Sequence, residues 1–178
     1  MRELAAAPAF QGMASVGDGA GVRVRLRPPE PIVSVLARKG QELGRDLCVS
    51  DGPRQSRYDG ATVLGIGPGR WLFLGREINQ LGQLAERASL ADHSDGYAVF
   101  EISGARVRDV LIKGVPVDLH PDVFKDEVAV TAIAHIGAIV WQCAPDRFAI
   151  AIFRSFAGSF WHWLAASAGE FGLALGDA

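Results

Sequence analysis

The sequence predicts an α+β fold built from two halves, each with the order strand, helix, strand hairpin, helix. Two observations lead to this prediction. Short segments with apolar residues at a period of two are bounded by Gly and Pro, and longer segments repeat apolar residues at helical spacing. These segments also occur twice in the same order, as in a duplicated domain. Helices that alternate with hairpins favour antiparallel sheets with helices packed on one face.

Length and composition are consistent with one compact unit. The chain has 178 residues, of which 49% are hydrophobic, and this is enough to bury a core shared by two small fused halves. Residues 1–21 contain Ala, Pro and Gly without periodicity, so we predict a loose N-terminal arm there. We place the first half at residues 22–91 and the second at residues 92–178.

The basic segment GVRVRLR predicts a half-exposed strand over residues 21–26. Its arginines, Arg23, Arg25 and Arg27, alternate with Val and Leu and therefore share one face of the strand. We interpret this face as a solvated surface. The formal net charge of the chain is −2, which gives no general attraction to nucleic acid or to acidic lipid.

A helix, a hairpin and a second helix complete the first half. Pro31 can begin the first helix, because a residue at that position needs no N–H donor. Gly67-Pro68-Gly69 predicts the turn of the hairpin. The predicted bounds are 32–44 for the first helix, 49–60 for a polar loop, 61–66 and 70–74 for the hairpin strands, and 78–90 for the second helix.

The second half repeats this order. Ser103-Gly104 is interpreted as the start of a helix and Lys113-Gly114 as its end, since a cation suits the last turn and Gly accepts a positive φ. Gly172 ends the final helix. The predicted bounds are 97–102, 128–134, 138–142 and 148–153 for strands, and 103–113 and 155–171 for helices.

The sequence contains no recognisable catalytic arrangement. GIGPG, from Gly65 to Gly69, is interpreted as a hairpin turn, because it lacks the lysine of a phosphate loop and precedes a strand. The four histidines show no i, i+4 metal pair, and neither Cys48 nor Cys143 belongs to a CxxC pair. These patterns argue against a metal site, and the count of two cysteines excludes a disulfide framework.

We expect the chain to be cytoplasmic and away from membranes. The first residues, MRELAAAPAF, carry charges at once and resemble no signal peptide. No apolar stretch approaches the roughly 20 residues that a transmembrane helix needs. Two separate thiols suit a reducing compartment.

Three polar residues are candidates for contact with another chain. Lys113 and His120 lie in a segment that lacks a nucleophile, so a structural or recognition role is favoured over general-base chemistry with Asp118. Arg154 stands at a strand-to-helix junction. It either borders a helix cap or pairs with an acidic group on another chain.

Trp161 is a fourth candidate. It lies about 200° from Trp163 around the final helix, so one narrow apolar stripe does not include both side chains. Trp163 shares a stripe with Phe156, Phe160 and Leu164. We therefore expect Trp161 to be substantially exposed in the free chain and to contact a partner.

These residues together resemble the gamma subunit of heterotetrameric sarcosine oxidase. The matching stretch runs from about residue 92 to residue 172, and the combination of KGxxxDLHPxxF with RSFA and WxWL is its most specific part. GPGRWLFLG in the first half is also similar to the family. The positions that carry the resemblance include Asp92, Ser94, Gly96, Ser103-Gly104-Ala105, Asp109, Leu111, Phe124, Thr131 and Glu170-Phe171-Gly172.

The resemblance implies an accessory, non-catalytic subunit. The family's complex oxidatively demethylates sarcosine to glycine, reduces oxygen to hydrogen peroxide and, with tetrahydrofolate, releases the methyl carbon as methylenetetrahydrofolate. The implied partners are the alpha, beta and delta subunits. They would hold FAD, FMN, NAD and tetrahydrofolate, and this chain would hold none of these cofactors. The resemblance also implies a fold similar to the folate-binding aminomethyltransferase type of domain.

Two alternative functions stay open at this point. One is a stand-alone folate-binding or aminomethyltransferase-like one-carbon protein, which predicts a measurable folate affinity for the isolated chain. The other is a stress or assembly factor of similar fold. We expect the isolated chain to lack oxidase activity and flavin colour. It should bind reduced folate weakly or not at all, because a shared fold does not transfer a site.

Overall fold

Eleven strands and a few short helices make up the computed structural model, which describes residues 12–17 and 19–176. The strands are β1 (Val22–Leu26), β2 (Ile32–Ala37), β3 (Gln55–Tyr58), β4 (Ala61–Gly67), β5 (Arg70–Leu74), β6 (Ala88–Asp92), β7 (Tyr97–Ser103), β8 (Val128–Ile133), β9 (Ile136–Ala144), β10 (Arg147–Phe153) and β11 (Leu173–Leu175). The α-helices are α1 (Leu43–Asp46), α2 (Val107–Leu111) and α3 (Ala157–Ala168), and 3-10 helices occupy Ile78–Leu84, Arg154–Phe156 and Gly169–Phe171.

Two sheets pack face to face. The larger sheet has six strands in the order β11-β1-β7-β10-β9-β8, and the smaller has five in the order β3-β4-β5-β2-β6. Neighbouring strands are antiparallel except for β1 and β11, which are parallel. The predicted α+β class with antiparallel sheets and helices is confirmed.

Alternating side chains divide the core into three apolar layers. In β7, Phe100 and Ile102 face α2 and α3, whereas Val99 lies between the two sheets. In the smaller sheet, Phe73 packs beneath α1 and the neighbouring 3-10 helix, whereas Leu72 lies between the sheets. The molecule is therefore a four-layer sandwich with helices on both outer faces.

One strand of the first half, β1, lies in the larger sheet with strands of the second half. β1 pairs with β7 of the second half, and β6, which precedes β7, pairs with β2 of the first half. Equivalent hydrogen bonds hold the crossing segments: Arg27 N–H donates to Val99 O over 2.8 Å, and His93 N–H donates to Ile32 O over 2.8 Å. The predicted boundary after residue 91 therefore does not coincide with the division between the two sheets, because β1 precedes the boundary and lies in the larger sheet.

Two predicted helices of the first half are wrong. The range 32–44 contains the strand Ile32–Ala37 and only one helical turn, Leu43–Asp46. The residues at 32, 33 and 35 are β-branched and buried, which favours a strand between two covered faces over a helix begun by a proline. The range 78–90 contains the 3-10 helix Ile78–Leu84 and the strand Ala88–Asp92.

The observed bounds of the hairpin and of the second half agree better with the predicted ones. GIGPG forms the end of β4 and the turn into β5, as the sequence predicts. The helix predicted over 103–113 is shorter, because residue 103 still belongs to β7. The turn between β8 and β9 is formed by Ala134 and His135, with φ values of 47° and 70°. Strands β3 and β11 were not predicted.

The N-terminal segment is described only in part. Residues 1–11 and 18 of the predicted arm lie outside the described residues. Val16 pairs with Leu173, with N–O distances of 2.9 Å and 2.7 Å in the two directions. This part of the predicted arm is therefore held against the larger sheet. Within residues 12–17 and 19–176, no helix combines the length and apolarity that spanning a bilayer requires.

We expect Gly104→Ala to destabilise the chain strongly. Gly104 follows β7 with a φ of +127°, and a Cβ there would lie 2.4 Å from Gly21 O. Strain and overlap with backbone together should lower the free energy of unfolding by about 2–3 kcal/mol. Gly75→Ala is the matched control, because Gly75 has a φ of +88° but no heavy atom within 4 Å of the added Cβ. Urea denaturation measures both losses. Equal losses of unfolding free energy in the two variants would show that the contact with Gly21 O does not add to the cost.

Candidate functional site

Arginines of β1 and β10 surround a glutamate of β7 on the face of the larger sheet that points away from α3. The strand register places Arg25 opposite Glu101 and Arg23 opposite Ser103. On the other side of β7, Arg147 also lies opposite Ser103. The alternation of GVRVRLR therefore brings its basic face over β7, since side chains at a period of two share one face.

Glu101 is tightly held by these arginines. Its Oε2 accepts hydrogen bonds from Arg25 Nη2 over 2.8 Å and from Arg27 Nε over 3.1 Å. Arg147 Nε lies 3.5 Å from Oε1. Within the part of the chain that the structure describes, Glu101 is the one buried charged residue, with 6% of its surface exposed. The interpretation of the basic face as merely solvated is wrong for Arg25 and Arg27.

Burial and charge act on Glu101 in opposite directions. Burial alone raises the pKa of its carboxyl, but the hydrogen bonds and charges of Arg25 and Arg27 outweigh burial and hold the pKa below its usual range. For Arg27, burial lowers the pKa of the guanidinium. Neighbouring Cys143 and Glu101 outweigh burial, so the pKa of Arg27 lies above its usual value. Glu101 is therefore ionised and Arg27 is cationic at neutral pH.

Cys143 lies beside this cluster without being an activated nucleophile. The residue as a whole is exposed, and Arg27 Nη2 lies 3.6 Å from its Sγ. Desolvation of the thiol raises the pKa of Cys143 more than the nearby arginines lower it. A thiol with a raised pKa carries little thiolate at neutral pH, so it is a poor nucleophile.

The cluster borders a cavity with an excess of positive charge. The cavity has a volume of about 170 Å³ and is lined by Arg23, Arg25, Glu101, Ser103, Arg147 and Gly176. We call it the arginine cavity. Among its lining residues, three arginines therefore face one glutamate. This arrangement is suited to binding an anion.

A second surface combines exposed apolar and aromatic side chains from both sheets. Tyr97 and Phe153 stack with ring centroids 5.3 Å apart and planes at 17°. Phe153 is 51% exposed and Val130 is 60% exposed. With Ile66 they border a cavity of about 220 Å³. We call these four residues the aromatic surface. Burial raises the pKa of the Tyr97 hydroxyl, and the charge of Arg70 offsets only part of this increase.

The structure gives each of the three polar candidates a contact within the chain. Lys113 Nζ donates to Ser167 O over 2.6 Å and pairs with Glu170, which ties the end of α2 to the end of α3. Arg154 Nη1 lies 3.8 Å from Asp95 Oδ1. The predicted contact of these residues with another chain stays a prediction.

His120 is exposed in the loop between α2 and β8. Asp118 Oδ1 accepts a hydrogen bond from the backbone N–H of His120 over 2.8 Å. The nearby carboxylate at 3.6 Å from His120 Nδ1 belongs to Asp122, and 61% of the His120 side chain is exposed. Asp118 therefore shapes a turn and does not orient the imidazole as a base.

The expected exposure of Trp161 is wrong. Only 6% of Trp161 is exposed, and it packs into the core beneath α3. The buried positions of this helix are 157, 160, 161, 164 and 168, so Trp161 belongs to the central stripe. Trp163 lies at the flank of that stripe, packs against Phe160 with ring centroids 5.7 Å apart, and covers Gly114.

Sequence reasoning missed Glu101 and Arg147. A usable signal was present in YAVFEIS, where one glutamate interrupts an otherwise apolar strand. A buried carboxylate requires a cation, and the three arginines of GVRVRLR are the unexplained basic residues of the sequence. Arg147 had no comparable signal, because its position beside Ser103 depends on strand order. Among the described residues, no group of three or more His, Cys, Asp or Glu side chains could hold a metal ion.

Comparisons of sequence give a consistent result. The family described as "Sarcosine oxidase, gamma subunit family" matches residues 64–170. The sarcosine oxidase subunit gamma of Corynebacterium sp. (strain P-1) is 30% identical over 159 residues, which cover 84% of this chain and 76% of that protein. The sarcosine oxidase subunit gamma of Arthrobacter sp. is 30% identical over 136 residues, covering 72% of this chain and 67% of that protein.

Solved structures share the fold. A chain of the heterotetrameric sarcosine oxidase from Corynebacterium sp. U-96, solved in complex with pyrrole 2-carboxylate, matches with a TM-score of 0.75 and 26% identity, over 88% of each chain. The glycine cleavage system aminomethyltransferase T from Bartonella henselae matches with a TM-score of 0.62 and 11% identity, over 88% of this chain and 48% of that one. The second likeness concerns the fold alone.

Proposed function

Because the chain belongs to the sarcosine oxidase gamma subunit family, we propose that it is the accessory, non-catalytic subunit of a cytoplasmic heterotetrameric sarcosine oxidase. The complex would oxidatively demethylate sarcosine to glycine with release of hydrogen peroxide and, with tetrahydrofolate, of methylenetetrahydrofolate. Its alpha, beta and delta subunits would be the partners and would hold FAD, FMN, NAD and tetrahydrofolate. The observation that carries the proposal is the match over 88% of both chains to a chain of a solved heterotetrameric sarcosine oxidase.

The chemistry of the described residues supports an accessory role. The buried carboxylate, Glu101, is neutralised by arginines, and the thiol of Cys143 has a raised pKa. Lys113 is tied to Glu170. These groups stabilise the fold, and none of these contacts is the nucleophile–base pair that covalent catalysis uses.

The aromatic surface supports a role in assembly. Aromatic side chains are enriched where interfaces have their buried centres. Phe153 and Val130 are exposed on both sides of a concave apolar surface. We propose that this surface contacts a partner subunit. The same role for Lys113, His120 and Arg154 is part of the proposal, whereas the burial of Trp161 removes the reason for including it.

Coexpression tests the proposal. An affinity tag on this chain should capture the alpha, beta and delta subunits with flavin absorbance and with peroxide production from sarcosine. The chain expressed alone should show neither flavin colour nor peroxide production. Peroxide production by the lone chain would contradict the non-catalytic role. Low-micromolar binding of tetrahydrofolate to the lone chain, without capture of partners, would favour a stand-alone folate-binding protein.

We expect Phe153→Ser to weaken assembly without unfolding the chain. Phe153 is 51% exposed, so its truncation removes little core packing. An aromatic residue at the centre of an interface typically contributes about 2 kcal/mol or more, which corresponds to at least about 30-fold in affinity. Capture of the partners by the tagged variant should fall accordingly.

Val123→Ser is the matched control for this prediction. Val123 is 53% exposed, but it lies in the loop before β8, outside the aromatic surface. The control should capture the partners as the unsubstituted chain does. If both variants capture normally, the aromatic surface is not the contact.

A further inference from the structure

We propose that the arginine cavity binds the carboxylate of an acidic side chain on a partner subunit. This inference rests on the proposed function, because it names the chemistry of one subunit contact. The cavity is separate from the aromatic surface: it is lined by β1, β7 and β10 together with Gly176, whereas the aromatic surface involves β4, β7, β8 and β10.

The arginine cavity carries an imbalance of charge. The chain has a formal net charge of −2, yet three arginines of the cavity lining, Arg23, Arg25 and Arg147, face one carboxylate, that of Glu101. Glu101 has already accepted two short hydrogen bonds on Oε2. Within residues 12–17 and 19–176, no carboxylate lies within 4 Å of the Arg23 guanidinium. An excess of cation at one place attracts a complementary anion.

The arginines of the cavity are preorganised by Glu101. Glu101 orients two arginines of the cavity lining: Arg25 Nη2 lies 2.8 Å from Oε2, and Arg147 Nε lies 3.5 Å from Oε1. A guanidinium that is already oriented loses less conformational freedom when it binds a second carboxylate. Glu101 therefore acts as an internal anchor, and the open donors belong chiefly to Arg23 and Arg147.

The arginine cavity is small. The cavity has a volume of about 170 Å³, below the roughly 300–1,000 Å³ of sites that enclose whole small molecules. It has room for the end of one acidic side chain. The planar fork of Arg matches a carboxylate with two parallel hydrogen bonds.

Competition during assembly tests the proposal. The double variant Arg23→Gln, Arg147→Gln removes two positive charges while retaining Arg25, Arg27 and Glu101. It is coexpressed, with an affinity tag distinct from that of the unsubstituted chain, together with the alpha, beta and delta subunits. We expect its share of the purified complex to fall about tenfold or more, since loss of a charged contact at an interface weakens binding by at least that much. The disadvantage should shrink when assembly is repeated in vitro at 1 M NaCl.

The control is the double variant Arg38→Gln, Arg45→Gln, which removes the same charge from exposed positions in the other half. It should enter the complex as the unsubstituted chain does. Equal incorporation of the cavity variant would overturn the inference and leave the proposed function intact. Equal losses for both double variants would assign the effect to net charge and would also overturn it. If the unsubstituted chain captures no partner, both proposals fail.

Malonate distinguishes a bound side chain from a free anion. For a side-chain site, 10 mM sodium malonate should raise the melting temperature of the lone chain no more than sodium chloride of equal ionic strength. An increase specific to malonate that the cavity variant loses, together with normal incorporation of that variant, would identify a small-anion site. That outcome would overturn the assignment to a partner subunit.

Discussion

Trp161→Ala should lower the free energy of unfolding by about 3–5 kcal/mol, as large truncations in a packed core do. Trp161 is 6% exposed and lies in the same buried stripe as Phe160 and Leu164. Removing the indole leaves a cavity beneath α3 that the rigid sheet does not fill. Chemical denaturation of the purified chain measures the loss directly, and any defect in assembly should follow from it.

Trp163→Ala provides the comparison on the same helix. Trp163 is only partly buried, and its ring rests on Gly114, where a Cβ would lie 2.5 Å from Cζ2. Its truncation should cost clearly less than that of Trp161. If Trp161→Ala leaves the melting temperature unchanged while weakening capture of the partners, Trp161 is an interface residue after all and its burial is misassigned.

Glu101→Gln should lower the free energy of unfolding by about 3 kcal/mol at neutral pH. The substitution leaves Arg25 and Arg27 without their counter-charge, and breaking a buried ion pair from one side typically costs about 3–5 kcal/mol. We expect the lower end, because the Arg25 and Arg27 side chains remain 29% and 22% exposed. Glu42→Gln is the control: it breaks the 3.2 Å contact with Arg45 between side chains that are 71% and 82% exposed. An exposed pair of this kind contributes about 0–1 kcal/mol.

The dependence of this loss on pH gives a second check. The pKa of Glu101 is held below its usual range in the folded chain, so its ionisation stabilises the fold above the pKa of the unfolded chain, which is about 4.3. This contribution is lost as the pH falls through the folded pKa. The difference in unfolding free energy between the unsubstituted chain and Glu101→Gln should therefore be largest near pH 7 and shrink below about pH 4. A difference that is constant from pH 7 to pH 3 would show that packing, rather than charge, sets the loss.

Local patterns predicted the strands that carry their own turn signals. Gly67-Pro68-Gly69 marks the β4–β5 hairpin, and the apolar strands β7 and β10 were predicted to within one residue of their observed bounds. The helix predicted over 32–44 failed because Pro31 is compatible with both a helix start and an extended segment. The choice between helix and strand depends on the pairing of β2 with β5 and β6, which are tertiary contacts.

The candidate surfaces depend on strand order, which no local pattern contains. Arg25 and Glu101 are 76 residues apart in the sequence, so their pairing follows only from the position of β1 beside β7 in the larger sheet. The same limit explains the error at Trp161. The predicted stripe consists of large side chains only, including Trp163 and Leu164, whereas the small residues Ala157 and Ala168 define where its centre lies.

The position of β1 in the larger sheet constrains how the chain folds during synthesis. β1 is made early, but its partner β7 begins 75 residues after Val22, at Tyr97. The first half therefore leaves the ribosome with β1 unpaired, because β1 lies between β7 and β11 in the sheet. Closure of such distant contacts is slow in comparison with local hairpins. The larger sheet therefore cannot be completed until the second half has been made, whereas the five strands of the smaller sheet are already available once Asp92 has been added.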